Sequence, residues 1–288
     1  IPNGVTSIEG YAFYNCSSLT SINIPEGVTE IGRTTFLGCS SLTSIIIPNS
    51  VTSIGYGAFF NCSSLTSIII PDRVTSIGEM AFSGCSALTS ITIPEGVTEI
   101  GRGAFQGCSL TNIDIPDGIK KIEGFVFNSC SSLTSITIPD GVTSIGEYAF
   151  NCCSTLTNIS IPNSATSIGE RAFFNCYSLV EVTCEATNPP TLGLDCFTEI
   201  ASSSTLIVPT GCTTAYSESD WAQYFTTIDD GEEHGSYENG VATVVTAGTL
   251  STLIPEDEKY TITTLKVVGP LNGDDIRFIR ELAGRDVY

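Results

Sequence analysis

Apolar residues recur along the first three quarters of the chain with a period of 23 residues, broken by one interval of 22. The period is clearest in one column of phenylalanines: Phe13, Phe36, Phe59, Phe82, Phe105, Phe127, Phe150 and Phe173. Leucine, proline and cysteine columns keep the same spacing. A fixed period of this length predicts a solenoid, in which stacked coils bury apolar columns that one coil could not bury alone.

The unit at 65–87, LTSIIIPDRVTSIGEMAFSGCSA, predicts the elements of one coil. Ile68 and Ile70 alternate as one face of a β-strand requires, and Pro71 ends that strand because proline cannot donate to a ladder. The stretch 74–77 fits a second short strand. The stretch 79–82 fits about one helical turn that presents Ala and Phe to the interior.

The segment L-x-x-I-x-I-P and the longer form LTSIxIPxxVTSIGxxAFxxCSS resemble the BspA-like (Treponema pallidum-type) leucine-rich repeats of bacterial surface proteins. The resemblance covers residues 1–228. It implies an α/β solenoid: a right-handed leucine-rich repeat superhelix with a parallel β-sheet on the concave face and short strands and helical turns elsewhere. It also implies an extracellular or outer cell surface protein involved in adhesion and host contact.

The repeat degrades after Leu179, and residues 213–228 carry a bulky apolar stripe. We interpret this stripe as a C-terminal cap, since an open end would expose a layer of core; an aromatic binding site at Trp221 and Tyr224 is the alternative. Residues 229–240 predict an acidic linker. Residues 241–288 resemble the truncated start of a second leucine-rich-type domain, with a short helix at 247–254, a strand at 260–268 and a helix at 276–283 that begins after Asn272.

The net charge of −20 argues against a nucleic-acid partner, whose phosphates require a basic surface. No run approaches the ~18 apolar residues of a membrane-spanning helix. Because the sequence opens in the middle of a repeat unit, we expect a fragment of a longer protein, and the missing signal segment does not indicate a cytoplasmic location.

Eight of the twelve cysteines form a column at the repeat period: Cys16, Cys39, Cys62, Cys85, Cys108, Cys130, Cys153 and Cys176. Neighbours in such a column point the same way, which suits buried free thiols better than disulfide geometry. Occasional bridges and metal binding are the alternatives. Cys152 lies outside the column and is predicted to be the most exposed thiol, whereas Cys184 and Cys212 replace core residues.

No catalytic constellation is apparent, because the only histidine, His234, lies in the acidic linker far from any paired nucleophile. Carboxylates such as Glu30 and Glu99 recur at repeat positions and fit a solvated face. We therefore expect neither an enzyme nor a cofactor or metal site.

If the strand isoleucines face inward, the alternate residues form an outward row on the predicted concave face. The candidate binding residues are Ser44, Ile46, Ser67, Ile69, Ser90, Thr92, Asn112, Asp114, Ser135 and Thr137. Ile46 and Ile69 stand out as large apolar side chains among small polar ones. We predict a protein partner from a host or bacterial surface. A glycan-binding module and a structural spacer are the alternatives, and the acidic residues after the prolines offer a second face.

Overall fold

The computed structural model of the chain describes residues 1–231, 236–238, 241–244, 249–255 and 265–282. The chain divides into two compact units, Ile1–Asp230 and Gly231–Tyr288. The first unit is a parallel-strand β-solenoid of about nine coils with few and short helices, which confirms the predicted solenoid. We number its coils by their phenylalanines, from Phe13 in the first to Phe197 in the ninth.

Each regular coil contributes two short strands, and these stack in register into two rows. The strands of the first row are Ser44–Ile46, Ser67–Ile69, Asn158–Ile161, Glu181–Cys184, Thr205–Ile207 and Thr227–Asp229, with single bridging residues at Asn23, Thr92, Asp114 and Thr137. The strands of the second row are Glu30–Ile31, Ser53–Ile54, Ser76–Ile77, Glu99–Ile100, Lys121–Ile122, Ser144–Ile145, Ser167–Ile168 and Thr191–Leu192. All pairings within these rows are parallel.

The core runs along the stack as columns of identical or similar side chains. The rings from Phe13 to Phe197 stack one on the next, with centroids 5.0–5.9 Å apart. From Phe36 onward these rings are almost completely buried. The alternation predicted for the first strand is also observed, since Ile68 and Ile70 are buried while Ile69 between them is exposed.

The segment 79–82, predicted as a helical turn, is instead part of a series of four-residue β-turns, so that prediction was wrong. Met80 has a positive φ of 54°, which a right-handed helix excludes. The N–H groups of Ala81 and Ser83 bond within the coil, to the carbonyls three residues earlier, whereas the N–H groups of Met80 and Phe82 bond to carbonyls of the next coil. Stacking therefore satisfies alternate backbone donors that a helix would satisfy internally.

Two rows of threonines reinforce the strand rows. On the first row, the Thr66 hydroxyl donates to the Thr43 carbonyl of the preceding coil at 3.2 Å. On the second row, Thr166 donates to the Thr143 carbonyl at 3.1 Å. Because each hydroxyl bonds to backbone, the recurrence of threonine at these positions has a structural cause independent of ligand binding.

The aromatic stripe near the end of the first unit packs on the ring of Phe197. It is divided into a helix at Thr213–Ser217, a 3-10 helix at Asp220–Gln223 and the strand Thr227–Asp229. Trp221 is fully buried, 5.3 Å from the Phe197 ring, and its indole N–H donates to the Pro190 carbonyl. Trp221 is therefore a core residue, which contradicts the alternative of a binding site built on its ring.

The second unit contains the strands Ser236–Glu238, Val241–Thr243 and Lys266–Val268 and the helices Leu250–Leu253 and Gly273–Leu282. Its small core includes Ala242 and Leu250. The Asn272 side chain accepts the N–H groups of Asp274 and Asp275, as expected for a helix cap. The remainder of the predicted strand at 260–268, residues 260–264, lies outside the described residues, as do Ala283 and His234. The strand at 236–238 falls within the stretch predicted as linker, and the domain limits 1–228, 229–240 and 241–288 stay predictions.

Candidate functional site

The candidate site is the outward side of the first strand row, which we call the strand face. All ten residues predicted from the alternation are exposed on it. The parallel register pairs Ser44 with Ser67 and Ile46 with Ile69, and a single bridge joins Ile69 to Thr92. A second group begins with the bridge between Asp114 and Thr137. Within residues 1–231 no bridge joins Thr92 to Asp114, so the strand face consists of two blocks.

Ile46 and Ile69 form the apolar centre of the strand face. They are 73% and 80% exposed, more than any other large apolar side chain of the described residues. Their strands are adjacent and in register, which places the two side chains about 5 Å apart. Ser44 and Ser67 lie on one side, so nothing large shields the isoleucines. Transferring each into an apolar contact would contribute about 1.5–3 kcal/mol to binding.

A row of carboxylates follows the strand face, at the turn after five of its prolines, whereas Pro48 and Pro162 are followed by Asn49 and Asn163. Its exposed members are Glu26, Asp72, Glu95, Asp117 and Asp140. Asp72 is three residues from Ile69, so the acidic row borders the apolar centre along one edge. This border and the net charge of −20 favour a partner that carries cationic groups beside its apolar ones.

Most thiols of the cysteine column are buried and have low reactivity. The Cys85 thiol donates to the Phe59 carbonyl of the preceding coil at 3.2 Å, and the thiols of Cys62 and Cys108 make the same contact one coil before and after. Burial raises the pKa of the Cys85 thiol to about 12, so it stays protonated at neutral pH. All twelve cysteines are free, which confirms the prediction of unpaired thiols.

The order of thiol exposure differs from the prediction. Cys16 is exposed, whereas Cys152 is only partly so. Cys16 lies in the first described coil, while Cys152 lies within the stack, where its thiol accepts a hydrogen bond from the Asn175 side chain. Cys212, predicted as a core residue, is half-buried.

The turns that follow the second strand of each coil form a surface that we call the turn side. It carries contacts between arginines and aromatic rings that the sequence analysis did not predict. The Arg33 guanidinium lies 4.3 Å from the centre of the Tyr56 ring, and Arg102 lies 4.4 Å from that of Phe125. Both pairs are separated by 23 residues, and this spacing was the available signal. These faces are occupied by cations of the same chain, so they support packing between coils rather than an open aromatic platform.

Metal binding and membrane insertion find no support in the described parts of the chain. No group of three His, Cys, Asp or Glu side chains is placed to hold a metal ion in the ranges that the structure describes. Among the helices described in either unit, none is long and apolar enough to cross a membrane.

Stacked coils of 22 to 24 residues, parallel strands and an inward leucine column define a leucine-rich repeat solenoid. The profile of the BspA type leucine rich repeat region, with six copies, matches residues 1–110 and 98–220. The chain belongs to this family, as the sequence resemblance indicated. Leucine-rich repeat proteins are typically non-catalytic protein-interaction modules.

Three solved structures resemble the chain, and the first of them agrees with this assignment. A leucine-rich repeat protein from Bacteroides ovatus is 28% identical, over 92% of this chain and 78% of that one, with a TM-score of 0.57. A Treponema pallidum leucine rich repeat protein is 29% identical over 61% of this chain and 72% of its own, with a TM-score of 0.49. A leucine rich cell surface protein from Faecalibacterium prausnitzii is 29% identical over 64% and 77%, with a TM-score of 0.33. A comparison with curated proteins finds no match.

Proposed function

We propose that the solenoid is a non-enzymatic cell-surface module that binds a protein partner of a host or bacterial surface through its strand face. The observation that supports this function is the pair of exposed isoleucines at 46 and 69, joined in register on adjacent strands. Regularly packed soluble proteins bury such pairs or reserve them for partners. The small polar residues around the pair leave it accessible, as the centre of an interface requires.

The same position in other coils provides the substitution that tests this proposal. Thr92 and Thr137 occupy the position of Ile46 and Ile69, so threonine is compatible with the backbone there. The double variant Ile46→Thr with Ile69→Thr therefore removes the apolar centre and should leave the melting temperature almost unchanged. A control on the second strand row of the same two coils is Thr52→Ser with Thr75→Ser, which keeps both hydroxyls.

The binding assay uses peptides selected from a random displayed library against the wild-type chain. We expect selected peptides to contain an apolar side chain beside Lys or Arg, because carboxylates border the strand face. The Ile→Thr double variant should bind them about 10- to 100-fold more weakly by fluorescence anisotropy, corresponding to ~1–3 kcal/mol. Equal affinity of the double variant and the wild-type chain would refute the strand face as the binding surface. The acidic row would then be the next surface to test.

Surface display is tested separately from binding. Antibodies raised against the solenoid should label intact cells of the source organism, and brief protease treatment of those cells should remove the label. Labelling only after lysis would refute the surface location without bearing on the binding face.

Glycan binding is the second candidate, and the described residues favour it less. The exposed aromatic side chains of the first unit, Tyr11, Tyr14 and Tyr177, do not lie on the strand face. Tyr11 also accepts a hydrogen bond from Arg33 at 3.2 Å. A glycan array in which the variant Tyr11→Ala with Tyr14→Ala loses a signal of the wild-type chain would favour this candidate instead.

A further inference from the structure

One junction in the solenoid differs from the others on both strand rows. It lies between the fifth coil, which carries Phe105, and the sixth, which carries Phe127; we call it the 5/6 junction. On the second row, one four-stranded sheet ends at Glu99–Ile100 and another begins at Lys121–Ile122. On the first row, the missing bridge between Thr92 and Asp114 falls at the same place. The second row is thus interrupted completely, whereas the first row loses the bridge and keeps one backbone bond, from the Thr111 N–H to the Thr89 carbonyl at 3.2 Å.

A missing glycine explains the interruption. In regular coils a glycine follows the second strand and touches the backbone of the preceding coil; a Cβ on Gly78 would lie 2.6 Å from the Gly55 carbonyl carbon. The sixth coil has Glu123 at this position and Gly124 after it, the reverse of the order at Gly78 and Glu79. The side chain of Glu123 therefore prevents the close approach that the other coils make.

The backbone ladder is lost where the approach fails. The Thr98 N–H bonds to the Thr75 carbonyl at 3.0 Å and the Gly101 N–H to the Ile77 carbonyl at 2.8 Å. The corresponding donors of the sixth coil, the N–H groups of Lys120 and Glu123, make no such bond within the fully described stretch 1–231. A cleft of about 370 Å³ opens there, lined by Thr98, Glu99, Ile100, Lys120, Lys121 and Glu123. The phenylalanine stack is also widest here, with 5.9 Å between Phe105 and Phe127.

The turn side keeps the two coils together. The N–H groups of Gly103, Phe105 and Gly107 bond to carbonyls of the sixth coil at 2.8–3.0 Å. Arg102 passes over Gly124, covers the Phe125 ring and forms an ion pair with Glu147 of the seventh coil. A Cβ on Gly124 would lie 2.7 Å from the Arg102 side chain, so the reversed order of glutamate and glycine also makes room for this contact.

We propose that the 5/6 junction is a built-in opening point of the solenoid, held closed by the turn-side hydrogen bonds and by the ion pair between Arg102 and Glu147. Opening separates a block of five coils from a block of four while each block keeps its own ladder. The strand face is divided at the same point, so opening changes the distance between its two blocks. Because the ion pair is partly solvent-exposed, added salt weakens the closed form.

Hydrogen exchange of the whole chain, followed by mass spectrometry or NMR, tests this proposal. The informative donors are hydrogen-bonded amides on the turn side, because they exchange only when coils separate. The amides of Gly103, Phe105 and Gly107 should exchange at least about ten-fold faster than their counterparts one coil earlier, Met80, Phe82 and Gly84. Raising the NaCl concentration, or the substitution Arg102→Gln, should accelerate exchange at the first set and leave the second unchanged. Equal exchange of the two sets in the wild-type chain would overturn the proposal.

A repaired variant tests the cause. The single substitution Glu123→Gly supplies the missing glycine and keeps Gly124 beneath Arg102, and we expect it to slow the first set of amides to the rate of the second. The matched control adds the same defect elsewhere: Gly78→Glu should create fast exchange at the amides of Gly57, Phe59 and Asn61, which bond across the junction between the third and fourth coils. An unchanged exchange profile in the repaired variant would overturn the assignment to Glu123.

Discussion

Removing one ring from the middle of the phenylalanine stack should cost far more stability than removing the ring at its start. Phe59 is fully buried and stacks on Phe36 and Phe82, each 5.4 Å away. Phe59→Ala removes the buried side chain and both stacked pairs, which costs about 3–5 kcal/mol, with each pair accounting for ~0.5–1.5 kcal/mol beyond area burial. Phe13 is half-buried and stacks only on Phe36, so Phe13→Ala should cost about 1–2 kcal/mol.

Urea unfolding followed by circular dichroism measures the two losses, and a neighbouring residue supplies the control. Phe60 is half-buried on the turn, so Phe60→Ala makes the same chemical change outside the stack and should cost less than Phe59→Ala. The fluorescence of Trp221 reports the opposite end of the unit. Coincident transitions from the two probes would indicate cooperative unfolding, on which the comparison of free energies depends. Equal losses at Phe59 and Phe13 would refute the view that the rings form one continuous core.

Three further outcomes follow from the described contacts. In the native protein the Cys16 thiol should react first with a thiol reagent, followed by Cys152 and Cys212, and all twelve should react after denaturation without reductant; four or fewer would contradict the free-thiol assignment. Burial raises the pKa of Cys39 to about 11 and that of Cys130 to about 12, above the usual 9. Their contribution to stability is therefore complete below pH ~9 and lost as the pH rises through 11–12, so urea midpoints should fall across that window, and less steeply in Cys130→Ala. Trp221, the only tryptophan, should emit at short wavelength and resist acrylamide quenching in the native state; a fully exposed spectrum would contradict its burial against Phe197.

The sequence was sufficient to predict the repeat period and the inward columns, because the repeat averages over many copies of the same contact. The alternation that buried Ile68 and Ile70 also correctly exposed Ile69. It could not predict the backbone of the turn at 79–82, because spacing alone does not distinguish a helical turn from turns with a left-handed residue such as Met80. That choice depends on whether the N–H groups bond within a coil or to the next one.

The sequence predicted which residues of the strand face are exposed, but it did not predict that the strand face is interrupted. Exposure of the ten residues follows from the period of two within each strand. The interruption between Thr92 and Asp114 coincides with the interruption of the second row that we attribute to Glu123. The effect of Glu123 on coil stacking depends on the distance between the backbones of the fifth and sixth coils. The identity of residue 123 alone does not indicate that distance. The predicted order of thiol exposure was also wrong, since it placed Cys152 ahead of Cys16.

In a stacked repeat, the effect of a departure from the pattern depends on the direction in which its column points. The column of Ile46 and Ile69 points to solvent, so isoleucine in place of threonine changes the surface and leaves the ladder between the two strands intact. The column of Gly78 touches the backbone of the preceding coil, so glutamate in place of glycine at 123 accompanies a break in the ladder of the second row. Substitutions in the solvent-facing column can therefore introduce binding residues without disturbing the fold. A substitution in the glycine column instead disrupts the stacking of two coils. The strand face could therefore acquire its apolar centre within an unbroken block of coils, where the two isoleucines stay at a fixed separation.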